Sequence, residues 1–165
     1  MIITDNTKYA DFAPFEEVIT QASIQDIKGA AERKFKNCYE LTIDEFFGVC
    51  GGDYSLLGDL TEPTVLQVYW LKRFADFGDE LAKACERLKI EPTPEQAQAN
   101  NGCVPMTAQE SMLCFTREYF GLPSFYAAGE RTMGEYLTAR KDKYNEARQR
   151  RNFEEIQKRK LHTKR

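Results

Sequence analysis

The feature that most constrains the fold is a helix-start signal that recurs four times along the chain. A capping box places Thr or Ser at the N-cap of a helix and Glu or Gln three residues later, so that each side chain accepts a hydrogen bond from the other residue's backbone amide. The pattern occurs at Thr42 with Glu45, Thr93 with Gln96, Thr107 with Glu110 and Thr132 with Glu135. Each pair precedes a plausible helix, so four such signals in one chain predict a mainly α protein.

The longest apolar stripe lies in residues 62–90. Its large side chains recur at steps of three and four residues, which is the spacing of one helix face. We therefore expect a compact helical domain around this long central helix. Further helices are predicted at 14–22, 24–35, 43–50, 108–120 and 133–159, with one turn after Thr93 and a short turn ending near Ala128.

The chain divides into four segments by composition. Residues 1–90 are expected to form a helical body, and residues 91–106, rich in Pro, Asn and Gly, a linker or loop. Residues 107–147 are expected to form C-terminal helices that pack on the body. Residues 148–165, called the arm below, have few large apolar residues and are expected to be basic and to fray. The last helix is therefore predicted to be long, basic and partly protruding.

Charge is distributed unevenly around a net charge of −3. Residues 1–137 hold 12 Lys and Arg against 22 Asp and Glu, whereas residues 138–165 hold 11 against 4. The arm could bind nucleic acid or another polyanion, or it could be a solvated helix that complements the acidic body of its own or a neighbouring chain. We favour the second interpretation because Tyr144 and Phe153 alone could stack on bases in this region.

Most catalytic and metal-binding classes lack their residues in this sequence. There are five cysteines with no CxxC spacing, and the single histidine is His162 near the C-terminus. Disulfide frameworks, zinc sites and histidine-dependent triads are therefore not expected, and a cytoplasmic location is favoured. The chain has no apolar run long enough for a membrane span and no secretory signal pattern. We expect a non-enzyme without a cofactor, metal or small-molecule substrate.

The candidate partner-binding residues lie on the last helix. The sequence predicts that a protein partner or a second copy contacts this set: Tyr136, Arg140, Tyr144, Arg148, Arg151, Lys158, Arg159 and Lys160. An aromatic cluster from Phe115 to Tyr126 could form a groove for a partner's helix, although a packing corner is the favoured interpretation. If the arm binds nucleic acid instead, its terminal cations would contact phosphates: Lys158, Arg159, Lys160, Lys164 and Arg165.

Two segments of the C-terminal third, MTAQESMLCFTREYFGLPSFY and ERTMGEYLTARKDKYNEA, resemble small helical proteins of tailed-phage and prophage structural modules. The pattern Thr-apolar-x-Glu-Tyr-Leu is similar to segments of phage tail assembly chaperones, which hold the tape-measure protein before the tail tube polymerises. The resemblance covers about fifty residues, contains no diagnostic motif and transfers no functional residue. It implies an assembly protein in the host cytoplasm or the virion.

These observations predict a non-enzymatic protein-interaction or assembly protein, with a phage or prophage tail assembly chaperone or structural accessory protein as its specific form. The alternative is a nucleic-acid-binding accessory protein that uses the basic arm. A small enzyme that uses carboxylates or a cysteine is a third hypothesis without a supporting group of residues.

Overall fold

A computed structural model describes residues 3–163. Within that range the chain forms eight α-helices, three short 3-10 segments and no strand. The helices are α1 Tyr9–Phe12, α2 Gln21–Lys34, α3 Ile43–Cys50, α4 Val65–Arg87, α5 Pro94–Ala99, α6 Ala108–Phe120, α7 Phe125–Gly129 and α8 Met133–Thr163. The 3-10 segments are Ala13–Val18, Cys38–Glu40 and Ser55–Leu57. The expectation of a mainly helical, compact domain is confirmed.

Helix starts follow the capping signals in the sequence. All four predicted boxes form, and α3, α5, α6 and α8 each begin one residue after the capping threonine. A fifth box, Thr64 with Gln67, opens α4. This box explains why α4 begins at Val65, three residues after the predicted start at Glu62.

The N-terminal prediction of one helix over residues 14–22 is wrong. The structure has a 3-10 segment Ala13–Val18, an extended residue at Ile19, and then α2. Thr20 ends the first segment because its hydroxyl accepts a hydrogen bond from the Ser23 amide and so caps α2. The strong local N-cap overrides the apolar spacing that runs across it.

The core is built around α4, as the sequence predicts. Its residues Tyr69, Trp70 and Phe77 are almost completely buried. The indole Nε1 of Trp70 donates a hydrogen bond of 2.8 Å to the carbonyl of Lys36, which ties α4 to the end of α2. An ion pair of 2.5 Å between Lys28 and Asp76 lies at the edge of the same α2–α4 contact.

Helix N-termini are paired in two places by isolated antiparallel bridges. Lys8, before α1, pairs with Thr64, before α4, and Thr42, before α3, pairs with Thr132, before α8. These contacts join elements separated by 56 and 90 residues without requiring a sheet. They fix the start of α8 against the body.

The two halves of α8 differ in their surroundings. Met133, Tyr136 and Ala139 are buried in the body, whereas every described side chain from Arg148 to Leu161 is exposed. Helical backbone continues to Thr163, beyond the predicted end at residue 159. At about 1.5 Å per residue, α8 is roughly 46 Å long.

Candidate functional site

Tyr136 lies in the core, which contradicts its predicted role at a partner surface. Its ring meets Phe115 edge-on at 5.7 Å between centroids, and its hydroxyl lies 3.8 Å from the Cys85 sulfur. Burial, followed by the nearby Cys85, raises the pKa of the Tyr136 hydroxyl. The prediction for Tyr136 was wrong because helical spacing alone does not show which other helix covers an apolar face.

Arg140 is half-buried and packs within the protein. Its guanidinium carbon lies 5.1 Å from the ring centroid of Phe115, a cation–π distance. Its Nε is buried without a hydrogen-bond partner among the described residues. Arg140 therefore helps to hold α6 against α8.

Three other predicted residues come together where α8 leaves the body. Tyr144, Arg148 and Arg151 line a cavity of about 220 Å³ together with Lys89, Ile90 and Ala147. We call this group the basic pocket. Arg151 donates a hydrogen bond of 2.6 Å from Nη2 to the Glu91 carbonyl, which fixes its position at the cavity.

The basic pocket retains much of its positive charge. The Lys89 ammonium lies 3.8 Å from a Glu86 carboxylate oxygen and 3.7 Å from one of Glu91. No ion pair within residues 3–163 involves Arg148 or Arg151. A hydrogen bond to a backbone carbonyl leaves the charge of Arg151 uncompensated, so the pocket suits an anionic group.

The arm is exposed around its whole circumference over the residues that the structure describes. Lys158, Arg159 and Lys160 are exposed, and Arg159 lies 3.9 Å from Glu155 one turn earlier. Three apolar side chains are also exposed, with Phe153 at 62%, Ile156 at 50% and Leu161 at 68%. Lys164 and Arg165 lie outside the described residues, as does the side chain of His162.

An apolar groove of about 550 Å³ lies between the end of the 91–106 segment and helices α6 and α7. Its apolar lining is Val104, Pro105, Met106, Leu113, Cys114 and Phe125. Val104 is 88% exposed and Met106 is 58% exposed. The composition of residues 91–106 predicts a linker or loop and does not reveal this surface, although the run Cys-Val-Pro-Met at its end is apolar.

Some side chains of the aromatic cluster between Phe115 and Tyr126 pack against other helices, and others lie at the surface. Phe115 and Tyr119 stack on each other at 5.9 Å and pack against α8, where the Tyr119 hydroxyl donates to Asp142 at 2.8 Å. Phe125 lines the apolar groove, and Tyr126 is exposed. The cluster is thus mainly a packing corner with one side open to solvent.

No group of three or more His, Cys, Asp or Glu side chains that could hold a metal ion occurs among residues 3–163. In the same part of the chain, none of the helices combines the length and the apolar character that a membrane crossing needs.

Comparison with known proteins adds no relative, because no family model, no curated protein and no solved structure matches this chain.

Proposed function

We propose that this protein is a non-enzymatic interaction or assembly protein that binds another polypeptide through the arm at the end of α8. The observation that carries the proposal is the exposure of the arm together with its apolar side chains. Phe153, Ile156 and Leu161 are each at least half exposed on a helix that continues past the body.

Most helical stability in proteins comes from packing an apolar face, and the end of a helix that packs on nothing tends to fray. Residues 148–161 pack on little of this protein, and a hydrogen bond from Arg151 to Glu91 anchors only their first turn. A partner that covers Phe153 and Ile156 would supply the missing packing.

The specific form that we propose is a tail assembly chaperone or structural accessory protein of a phage or prophage. Its support is the resemblance of the C-terminal segments, together with small size, an acidic body and an exposed arm. The partner would then be a tail component such as the tape-measure protein. The protein would act in the host cytoplasm or remain in the virion.

Site-specific photo-crosslinking in cells tests the use of the arm. A photoreactive phenylalanine analogue at position 153 is expected to give one discrete adduct with a polypeptide. The matched control places the same analogue at Val18, which is 80% exposed in the N-terminal 3-10 segment. If position 153 yields no adduct, or the same adducts as position 18, the proposal fails.

A truncation provides the second test. A chain that ends at Ala147 is expected to keep its circular dichroism per folded residue and its unfolding midpoint, because the removed side chains are exposed. The same truncation should abolish the adducts and any self-association measured by light scattering. Association that survives the truncation would place the interface on the body.

The second candidate function is nucleic-acid binding, and the basic pocket is the observation that favours it. Lys89, Arg148 and Arg151 surround one cavity, and Tyr144 offers a ring beside them. Phosphate contacts of this kind weaken steeply as salt rises. Fluorescence anisotropy of a labelled single-stranded oligonucleotide should then show weaker binding for Arg148→Gln with Lys89→Gln, but not for Lys83→Gln on the exposed side of α4. Absence of binding at low salt would exclude this function.

A further inference from the structure

The apolar groove has one charged residue, Glu110, in its lining among the residues that the structure describes. The Glu110 carboxylate accepts hydrogen bonds from the Thr107 amide at 2.8 Å and the Thr107 hydroxyl at 2.9 Å. These bonds, that from the amide first, lower the pKa of Glu110, whose carboxyl is ionised at neutral pH even at its ordinary pKa. The groove thus offers an apolar floor with one negative charge in its lining, and the Arg117 guanidinium lies outside that lining, 4.4 Å from the ring centroid of Phe125.

The arm carries the matching pattern on one helix face. Phe153, Ile156 and Lys160 are spaced by three and four residues and fall within a sector of roughly 60° at 100° per residue. The face that turns toward the body contains Tyr144, Ala147 and Arg151, and it lies roughly 180° from this sector. The arm therefore directs two apolar side chains and one cation away from its own body.

The arm cannot place this face in the groove of its own chain. Helix α8 is continuous from Met133 to Thr163, so the arm extends in the direction set by the packed first half of the helix. Phe153 and Met106 both remain more than half exposed within one copy. In a pair of copies, the arm of one chain can cover the groove of the other.

We propose that the apolar groove receives the arm of a second copy, with Phe153 and Ile156 on the groove floor and Lys160 beside Glu110. The proposal rests on the proposed function and identifies the polypeptide that the arm binds. Reciprocal exchange of two arms would bury both pairs of surfaces in one closed dimer.

Overall charge favours this occupant. Residues 1–137 have ten more acidic than basic residues, whereas residues 138–165 have seven more basic than acidic residues. Arm-to-body contact between copies therefore brings opposite charges together, while body-to-body contact would bring two acidic surfaces together. Association by this route should weaken as salt rises, but the apolar part of the contact should persist.

The experiment is light scattering after size exclusion, over about 5–200 µM protein, where weak dimers become visible. Phe153→Ser and Met106→Glu should each weaken dimer formation at least tenfold. The matched control Leu161→Ser removes an equally exposed side chain from another face of the arm and should change it less than about twofold. Circular dichroism checks that all variants keep their helices.

Mixing two variants distinguishes reciprocal exchange of arms from other dimer interfaces. The Phe153→Ser chain keeps an intact groove and the Met106→Glu chain keeps an intact arm, so their mixture retains one of the two contacts. Heterodimers should therefore form although neither variant dimerises alone. At the charged contact, Lys160→Glu should weaken the dimer about threefold or more, and adding Glu110→Gln, which preserves the capping box and removes the repulsion between two carboxylates, should recover part of that loss.

Different failures overturn different statements. A full-length chain that stays monomeric to about 200 µM overturns the second copy as occupant, and crosslinks from position 153 to another polypeptide would still support the proposed function. Loss of dimer in Phe153→Ser without any effect of Met106→Glu overturns the groove as the receiving surface. Dimers that are unchanged by both variants, with no adduct from position 153, overturn the proposed function as well.

Discussion

Thr42 and Thr132 face each other across an antiparallel bridge, so that the N-termini of α3 and α8 meet. The Ile43 amide donates to the Arg131 carbonyl at 2.9 Å, and the Met133 amide donates to the Leu41 carbonyl at 2.8 Å. The bridge thus satisfies the first amide of each helix, which has no acceptor inside its own helix. Each threonine also caps its own helix, so this bridge stabilises the N-termini of both α3 and α8.

Loss of the Thr132 hydroxyl should destabilise the whole domain. Thr132→Ala removes the acceptor for the Glu135 amide at 3.2 Å, and we expect a loss of about 1–2 kcal/mol in the free energy of unfolding. The control is Thr93→Ala, which removes the same kind of cap from α5, a helix with every side chain exposed. It should cost less than about 0.5 kcal/mol, because α5 can open locally. Equal losses in urea unfolding would contradict this assignment.

Two glycines inside helices should respond oppositely to alanine. A Cβ at Gly78, in the middle of α4, would meet no atom within 4 Å, so Gly78→Ala should stabilise the protein by about 0.5–1 kcal/mol. A Cβ at Gly134, near the start of α8, would lie 3.1 Å from the Tyr39 carbonyl oxygen. Gly134→Ala should therefore lower the unfolding midpoint while Gly78→Ala raises it. Thermal unfolding of both variants measures the contrast, and a rise for both would show that the α8 start can shift freely.

The Glu16 carboxylate should make stability depend on pH in the acid range. Lys72 donates a hydrogen bond to it, Tyr9 donates another at 2.5 Å, and Tyr69 a third at 2.8 Å. These contacts, that with Lys72 first, lower the pKa of Glu16 from 4.5 to about 2. A lowered folded-state pKa means that the stabilisation is complete above pH 4.5 and is lost as the pH falls toward 2.

The matched variants are Glu16→Gln and Glu17→Gln, at neighbouring positions in the same 3-10 segment. Because the Glu16 side chain keeps 25% exposure, solvent screening reduces the effect, and we expect Glu16→Gln to cost about 1–2 kcal/mol at pH 7. The difference in the free energy of unfolding between Glu16→Gln and the parent chain should shrink as the pH falls from 4.5 to 2. Denaturant midpoints at several pH values test this, and a difference that does not change with pH would mean that packing, not charge, is responsible.

Cys38 should be the thiol that reports global unfolding. Burial, followed by the nearby Glu32 carboxylate, raises the pKa of Cys38 to about 12, so almost no thiolate exists at neutral pH. Cys103 is exposed and serves as the internal control. With a maleimide reagent at pH 7.5, Cys38 should react at least about 100-fold more slowly than Cys103, and both should react quickly in urea. Peptide mass spectrometry gives both rates, and equal rates without denaturant would show that the core opens there.

Local signals in the sequence predicted much of the secondary structure. The bounds predicted for α3 and α6 agree with the structure, because a capping box and a glycine after the last turn are both local features. The predicted start of α4 at Glu62 is three residues too early, because the Thr64 cap makes Val65 the first helical residue. The basic pocket was also partly predictable, because Tyr144, Arg148 and Arg151 share one helix face by spacing alone.

What the sequence determined by itself is therefore that the chain is mainly helical, where the capped helices α3, α5, α6 and α8 begin, and that the basic residues concentrate in residues 138–165. Only the tertiary structure decided that Thr42 meets Thr132, that Tyr136 is covered by α6, and that Val104, Met106 and Phe125 share one groove. The reason is physical. Caps, turns and helical periodicity act over three or four residues, whereas the choice of which apolar faces cover one another depends on all helices packing at once.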